Sequence, residues 1–523
     1  MAYNYYGTNL VGAGTQISAV TGDNYFIDHG TTIGSTDTIA ISGLNATHVR
    51  FTILGSIFAN STGMYFTENN GTVLNIDIDI GATGSVASDG DAIGIYGDTS
   101  VIGGRVTISN DGRIQGADDG VYVYHIDEFR LTNTGTIKTD DSSTSDYSVY
   151  ALSNSTHIIN SGLIGAYDNS YAIFVSAPVN GVDGGQNTIV NTGTIYADLN
   201  RGAINSIDKI DHVTNEGFIH GNVQIDNGES QFAPWADTLI NSGQIIGNVE
   251  TGYGDDAVTN TGLIIGWVAL GSGDDILNGE TGNVQGAIYG DSGNDIIKSG
   301  IGDDIILGGT GADEIHGGAG IDTASFQQAS SGVRANLQRG VGLKGEALGD
   351  RYFSIENLLG SYHDDALLGD DLANVIEGAD GADTLNGEGG NDLLFGEFGD
   401  DTLIGGDGDD ILNGGLGRDI LWGGEGVDIF EFLDVDESGI GSSRDVIKDF
   451  EQGVDLINLA SMGATSFSAG GFTNTAGEVT FKLIGGGTKT VVEYDHDGDG
   501  AADFQILMTN GGFTMTSDDF VLG

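Results

Sequence analysis

Apolar and polar residues alternate in short bursts along the first half of the chain, and each burst is broken by an Asn-x-Gly turn. The turns read NDGRI (110–114), NTGTI (133–137), NSGLI (160–164), NTGTI (191–195), NEGFI (215–219), NSGQI (241–245) and NTGLI (260–264). Segments such as TIVNTGTIY and TLINSGQII alternate on both sides of the turn. That pattern predicts strand, tight turn, strand. The turn glycines recur at steps of 23, 27, 31, 24, 26 and 19, with weaker copies at NGTV (70–73) and TGSV (83–86). A constant turn with connections of variable length predicts a right-handed parallel β-helix over residues 1–290. Its asparagines are expected to stack as an internal hydrogen-bonded ladder, a structural role.

Further along, the pattern tightens to a nine-residue step. Each unit runs Gly, any residue, Asp, any residue, a large apolar residue, then a Gly-rich return, as in GDDTLIGGD and GDDILNGGL. One run carries Gly293 and Asp295, Gly302 and Asp304, Gly311 and Asp313, and Gly320 and Asp322. A second begins at Asp365 and Asn374. It continues through Gly381 and Asp383, Gly390 and Asp392, Gly399 and Asp401, Gly408 and Asp410, Gly417 and Asp419, and Gly426 and Asp428. Glycine lets the turn adopt φ > 0 and aim its carbonyls at one centre. Aspartate adds a hard anionic oxygen. Six to eight such oxygens at about 2.3–2.6 Å satisfy Ca²⁺, whereas Mg²⁺ holds its waters in a rigid octahedron. Zinc is disfavoured, because the chain has no cysteine and nine scattered histidines. The apolar residue of each unit, for example Ile305, Leu385, Leu394 or Ile411, is expected to start a short strand and point inward. Two units close one coil of 18 residues. Asp383, Asp401 and Asp419 would then stack along one edge, and Asp392, Asp410 and Asp428 along the other.

These units resemble the calcium-binding nonapeptide (GGxGxDxUx) of RTX proteins. The resemblance implies an all-β fold: a parallel β-helix continuing into a calcium-binding parallel β-roll, closed by a C-terminal β-rich cap domain. One ion per pair of stacked loops would assign roughly six ions to the second run and at least about two to the first. Asn374 departs from the motif, although an amide oxygen can still ligate. Gly254-Asp255-Asp256 and Gly273-Asp274-Asp275 carry the same Gly-x-Asp within the looser repeat, so the two solenoids are expected to grade into one another. The expected domains are 1–290 (β-helix), 291–323 (first roll block), 324–360 (spacer), 361–433 (second roll block) and 434–523 (C-terminal domain). The spacer resembles a segment found between RTX blocks (DTASF to GDRYFSIENLLGS). It concentrates Arg334, Arg339, Lys344 and Arg351, which are expected to pair with acidic turns.

Charge narrows the function. The chain of 523 residues holds 76 acidic and 17 basic residues, a net charge of −59. That excludes a nucleic-acid partner, which requires a basic footprint. Without cations the carboxylates repel, so folding is expected to be coupled to calcium binding. The start, MAYNYYGTNLVGAG, has neither the basic nor the apolar region of an ordinary signal peptide. No run of 18 apolar residues predicts a membrane helix. Residues 445–459 (DVIKDFEQGVDLINL), 491–508 (VVEYDHDGDGAADFQILM) and 518–523 (DDFVLG) resemble the C-terminal domain of serralysin-type metalloproteases. This implies export by the type I secretion apparatus of a Gram-negative bacterium, to the extracellular space or cell surface. A protease is excluded, because no H-E-x-x-H occurs among the nine histidines. Asp495, Asp497, Asp499 and Asp503 resemble the first part of an EF-hand loop whose twelfth position is Ile506. They form either a partial calcium loop or a plain acidic β-turn.

No catalytic residue can be assigned. The best local cluster, Asp118, Asp119, Tyr122, Tyr124, His125 and Asp127, reads as an ordinary strand. Tyr122, Tyr124 and Ile126 would lie on one face, with Val121, Val123, His125 and Asp127 on the other. Some alginate epimerases join a β-helix to RTX modules, but their Asp-Pro-His signature is absent; the only prolines are Pro178 and Pro234. The leading expectation is a secreted, calcium-dependent surface, matrix or adhesion component, whose partner is an extracellular polysaccharide or cell surface. Open solenoid ends would also permit self-association. A carbohydrate-active β-helix enzyme is the alternative, recognisable by a groove with two or more carboxylates plus Arg or Tyr. A pore-forming toxin ranks last, because no apolar helical segment precedes the repeats.

Overall fold

The computed structural model describes residues 3–68, 73–98, 103–139, 146–166, 170–178, 185–199, 201–207, 209–225 and 235–523. Residues 70–72 of the weak NGTV copy, and Pro234, lie outside the described residues. Among the described residues, regular structure is all strand except for two single 3₁₀ turns, Gly345–Ala347 and Ser517–Asp519. No helix there is long and apolar enough to cross a membrane. The chain forms two compact units: Met1–Tyr289 with Ser299–Ile301, and Gly290–Lys298 with Gly302–Gly523.

The first unit is a parallel β-helix with three strands per coil. Its first coil is Tyr3–Tyr6, Leu10–Gly12 and Ile17–Ser18. These stack in parallel on the next coil, with Tyr3 opposite Asn24, Leu10 opposite Ile33 and Ile17 opposite Ile41. One face grows to a 12-stranded sheet that ends at Asn283–Val284. The core consists of columns of like residues. Ile27, Ile53 and Ile80 occupy one register position and are fully buried. Asn110 then takes the same position, followed by Asn133, Asn160, Asn191, Asn215, Asn241 and Asn260. Each amide donates Nδ2–H to the next Oδ1 at 2.7–2.8 Å. The expected ladder therefore exists, and it meets the rule that buried amides must be hydrogen-bonded. The turn glycine is obligatory for a separate reason. A Cβ on Gly135 would collide with the carbonyl oxygen of Gly112, and one on Gly162 with that of Gly135.

Strand alternation fails at one place. The ladder slips between Tyr124 and Ile126, and His125 takes φ +56°. His125 and Ile126 are consequently both buried, while Asp127 is exposed. The expected pairing of Ile126 with the tyrosines, and of Asp127 with His125, is thus corrected: a bulge inserts one residue and flips the facing of those that follow.

The second unit is a two-sided parallel roll. Strands 18 residues apart pair in register, as Leu385 with Leu403 and Leu394 with Leu412. Leu367, Leu385, Leu403 and Leu421 form one fully buried column, and Ile376, Leu394, Leu412 and Phe430 another. Two of the expected inward residues are wrong by one position. Ile306 and Leu412 are buried, whereas Ile305 is 49% exposed and Ile411 half-buried. The reason is the period of two: each Asp already points inward, so its immediate neighbour must face out.

Residues within 324–360 add a hairpin, Arg334–Asn336 against Val341–Lys344, to the edge of the roll. Of the four basic residues there, Arg351 makes an ion pair, 3.8 Å from Glu314. The roll ends on antiparallel strands Glu478–Ile484, Lys489–Asp495 and Phe504–Met508. The last of these also lies parallel to Asp445–Ile447, which carries the stacking into the closing sheet.

Candidate metal centre

The repeat aspartates form two columns held by main-chain hydrogen bonds. In the first, the N–H groups of Asp365, Asp383 and Asp401 each donate to Oδ1 of the aspartate 18 residues later, at 2.7–2.8 Å. In the second, Asn374, Asp392 and Asp410 do the same, at 2.8–3.1 Å. Asp295 donates to Asp313 and Asp304 to Asp322, both at 2.9 Å. One carboxylate oxygen is therefore used to lock the stack. The other, Oδ2, is buried without a hydrogen-bond partner in Asp313, Asp322, Asp383, Asp392, Asp401, Asp410, Asp419 and Asp428. Eight orphaned anionic oxygens cannot be tolerated as bare charge in a protein interior.

Glycine builds the cradle. A Cβ on Gly387, Gly396 or Gly405 would come within 3.0 Å of Oδ2 of Asp392, Asp401 or Asp410 respectively. It would come equally close to a carbonyl oxygen of the adjacent coil, that of Gly405, Gly414 or Gly423. Carboxylate and carbonyl oxygens from two coils thus converge on space that only glycine leaves open. The glycine two before each aspartate has a positive φ, +148° at Gly399 and +137° at Gly408, and stacks on the carbonyl of the same glycine one coil back. Gly293, Gly302, Gly311, Gly320, Gly381, Gly390, Gly417 and Gly426 share that conformation. Burial, aided by neighbouring carboxylates, raises the aspartates' affinity for protons: Asp383, Asp392 and Asp428 are pushed up to about 7 and Asp419 to about 8. A set of hard, converging, anionic oxygens without nitrogen or sulfur fits calcium.

Two positions stand apart. Both oxygens of Asp365 already accept protein hydrogen bonds, Oδ1 from Val333 N–H and Oδ2 from Ser361 N–H, each at 2.6 Å. Asn374 accepts from Asp370 N–H and donates to the Glu356 carbonyl, both at 2.8 Å. The columns also include acidic residues outside the nine-residue step. Asp313 N–H donates to Asp350 at 3.0 Å and Asp322 N–H to Glu356 at 2.8 Å, across the inserted hairpin. Asp419 and Asp428 donate to Asp445 and Asp455 at 2.8 and 3.2 Å. Longer coils hide these four from a search at fixed period; an acid at or immediately before the first residue of each next strand is the signal they share.

In the acidic loop, carboxylate oxygens of Asp495, Asp497 and Asp503 lie within 4.8 Å of one another. Asp499 is not in that group; its Oδ1 accepts from Ala501 N–H at 2.8 Å. Both oxygens of Asp495 accept main-chain N–H groups, from Gly498 and Gly500.

In the first unit, the cluster around Tyr122 is a stack. Tyr122 lies 4.5 Å from Tyr150 at 4°, and Tyr150 lies 5.2 Å from Phe174 at 3°. Asp119 is buried beside it, pushed up to about 8 by burial and by Asp91. His125 is buried, and neither ring nitrogen has a partner among the described residues. A separate open groove of about 630 Å³ crosses neighbouring coils and is lined by Arg50, Asp77, Arg105, Asp127 and Glu128, among others.

Residues 267–284 and 289–324 match the RTX calcium-binding nonapeptide repeat (4 copies), and residues 315–522 match the serralysin C terminal of peptidase M10. No curated protein matches the chain significantly. Similar solved structures include two subunits of the Azotobacter vinelandii mannuronan C5-epimerase. The AlgE6R3 subunit is 29% identical, over 31% of this chain and 79% of its own, with a TM-score of 0.23. The AlgE6R2 subunit is 26% identical, over 32% and 91%, with a TM-score of 0.21. The chain therefore carries RTX calcium-binding repeats followed by a serralysin-type C-terminal region, modules typical of extracellular proteins exported by type I secretion.

Proposed function

We propose that this is a secreted protein that folds on calcium outside the cell and serves there as a surface, matrix or adhesion component. The observation that carries the reading is the set of buried, unpartnered Oδ2 atoms in glycine-lined cradles. Each requires a cation, and low cytosolic calcium would leave them charged and mutually repelling. The proposed ligands are Asp295, Asp304, Asp313, Asp322, Asp383, Asp392, Asp401, Asp410, Asp419 and Asp428, with carbonyls of the intervening turns. For Asp365 and Asn374 a ligand role rests on spacing alone, and for Asp495, Asp497 and Asp503 on their proximity. When bound, calcium supplies charge neutralisation and cross-linking of coils rather than chemistry on a substrate.

The test is a calcium titration followed by circular dichroism, with magnesium as control, and attachment to polysaccharide- or cell-coated surfaces. Cooperative folding in calcium and attachment lost on chelation are expected. A fully folded second unit in chelator would overturn the proposal. A carbohydrate-active enzyme is the second reading, favoured by the groove that combines three carboxylates with two arginines. Product released from acidic polysaccharide would replace the first reading with it.

A further inference from the structure

We infer that the groove on the first unit is a binding site for an acidic oligosaccharide, a chain of sugars bearing carboxylates. The inference rests on the reading above of a protein that meets extracellular surfaces, and it names the partner. The residues form a straight line. Tyr3, Asn24, Arg50 and Asp77 stand opposite one another on four successive coils. Two residues upstream of that line, Asn75, Arg105 and Glu128 form a second. The groove of about 630 Å³ continues, through Asn24 and Arg50, into a smaller one of about 300 Å³ that reaches Tyr3. Strands repeat at roughly 4.8 Å, a spacing of the order of one pyranose ring, so a linear chain lying along the coils meets the same row again at each step.

Two of the protein's few cations stand at this groove, beside the carboxylates of Asp77, Asp127 and Glu128. In a chain with a net charge of −59 and 17 cations, Arg50 and Arg105 are both exposed at one groove. Neither side chain makes an ion pair among the described residues, whereas nearby Arg130 is bonded to Glu128 at 2.6 Å. Unpaired guanidinium forks are suited to bidentate capture of carboxylates. They lie two strands and two residues apart, roughly 12 Å between backbones, and their long side chains can reach carboxylates on alternate sugars. The remaining lining mixes apolar side chains, such as Val73, with polar ones, of which Asn24, Asn75 and Asp77 offer donors and acceptors for hydroxyls. Tyr3, 83% exposed at the far end, offers a ring face to a sugar. A phosphate or sulfate site would need neither the hydroxyl partners nor the ring.

The test uses the full chain in millimolar calcium, titrated by calorimetry with tetragalacturonate, a neutral galactose tetramer and a sulfated galactose tetramer. Tetragalacturonate is expected to bind, the neutral tetramer not measurably, and the sulfated one more weakly. Arg50→Glu and Arg105→Glu should each weaken binding on the order of tenfold or more, and Arg113→Glu, on another face, should leave it unchanged. Circular dichroism verifies that each variant is folded. Equal binding of neutral and acidic tetramers, preference for the sulfated one, or full affinity in the Arg50→Glu/Arg105→Glu double variant would overturn the inference. Calcium-dependent folding and surface attachment retained without tetragalacturonate binding would sink the groove alone. Loss of attachment in the wild type would sink the broader reading.

Discussion

A single methyl group separates a cradle from a filled site in the roll. Gly396 and Gly405 leave room where a carboxylate and a carbonyl oxygen converge. Gly396→Ala and Gly405→Ala should therefore raise the calcium concentration at half-folding. Gly470→Ala, with nothing within 4 Å of its Cβ, should not; a calcium titration by circular dichroism compares the three. In the β-helix the corresponding sensitive atom is an amide. Asn191→Ala removes a buried link between Asn160 and Asn215 and strands their partner groups. It should destabilise the first unit by about 1–3 kcal/mol, read by denaturant titration in calcium. The residue types at both sites were legible, because asparagine and glycine recur in phase. His125 was not: nothing in GVYVYHID announces a bulge, which neighbouring coils of unequal length impose.

Within a strand, parity decides what a residue does. In the roll, Asp304 points in, Ile305 out and Ile306 in. Ile306→Ala should cost about 2–5 kcal/mol as a core truncation. Ile305→Ala should stay within about 0.5 kcal/mol, and equal effects on urea unfolding would contradict the register. The nine-residue step revealed strand and turn but placed two of the inward residues one position early. The columns also continue through Asp350, Glu356, Asp445 and Asp455, where longer coils destroy the period. Stacking across coils, rather than spacing along the chain, defines membership.

For the molecule as a whole, the proposed calcium sites set protons and calcium in competition for the same oxygens. In the calcium-free fold, burial raises Asp383 and Asp392 to about 7 and Asp419 to about 8. An unfolded aspartate titrates near 3.9. Between those values the unfolded chain has released protons that the fold retains, so stability falls as pH rises. Without calcium, the contribution of these groups to the second unit should be greatest at or below about pH 4 and be lost progressively toward pH 8. Calcium at pH 7.5 should restore the lost stability. Thermal unfolding across that range, with and without chelator, measures both limbs, and a calcium-free stability that rises with pH would contradict the assignment.

The sequence by itself determined the all-β class, the two repeat regimes, the calcium chemistry and the polar character of the ladder. Each of these is written as a period, and a solenoid repeats its local environment every coil. The tertiary structure alone decided which carboxylate oxygen of aspartates such as Asp401 and Asp410 accepts a neighbouring N–H and which is buried without a hydrogen bond. It also decided how Asp365 is closed off by Ser361, and how Arg50 and Arg105, 55 positions apart in the chain, come to line one groove. Those facts depend on contacts between coils whose lengths differ, and no period along the chain encodes them.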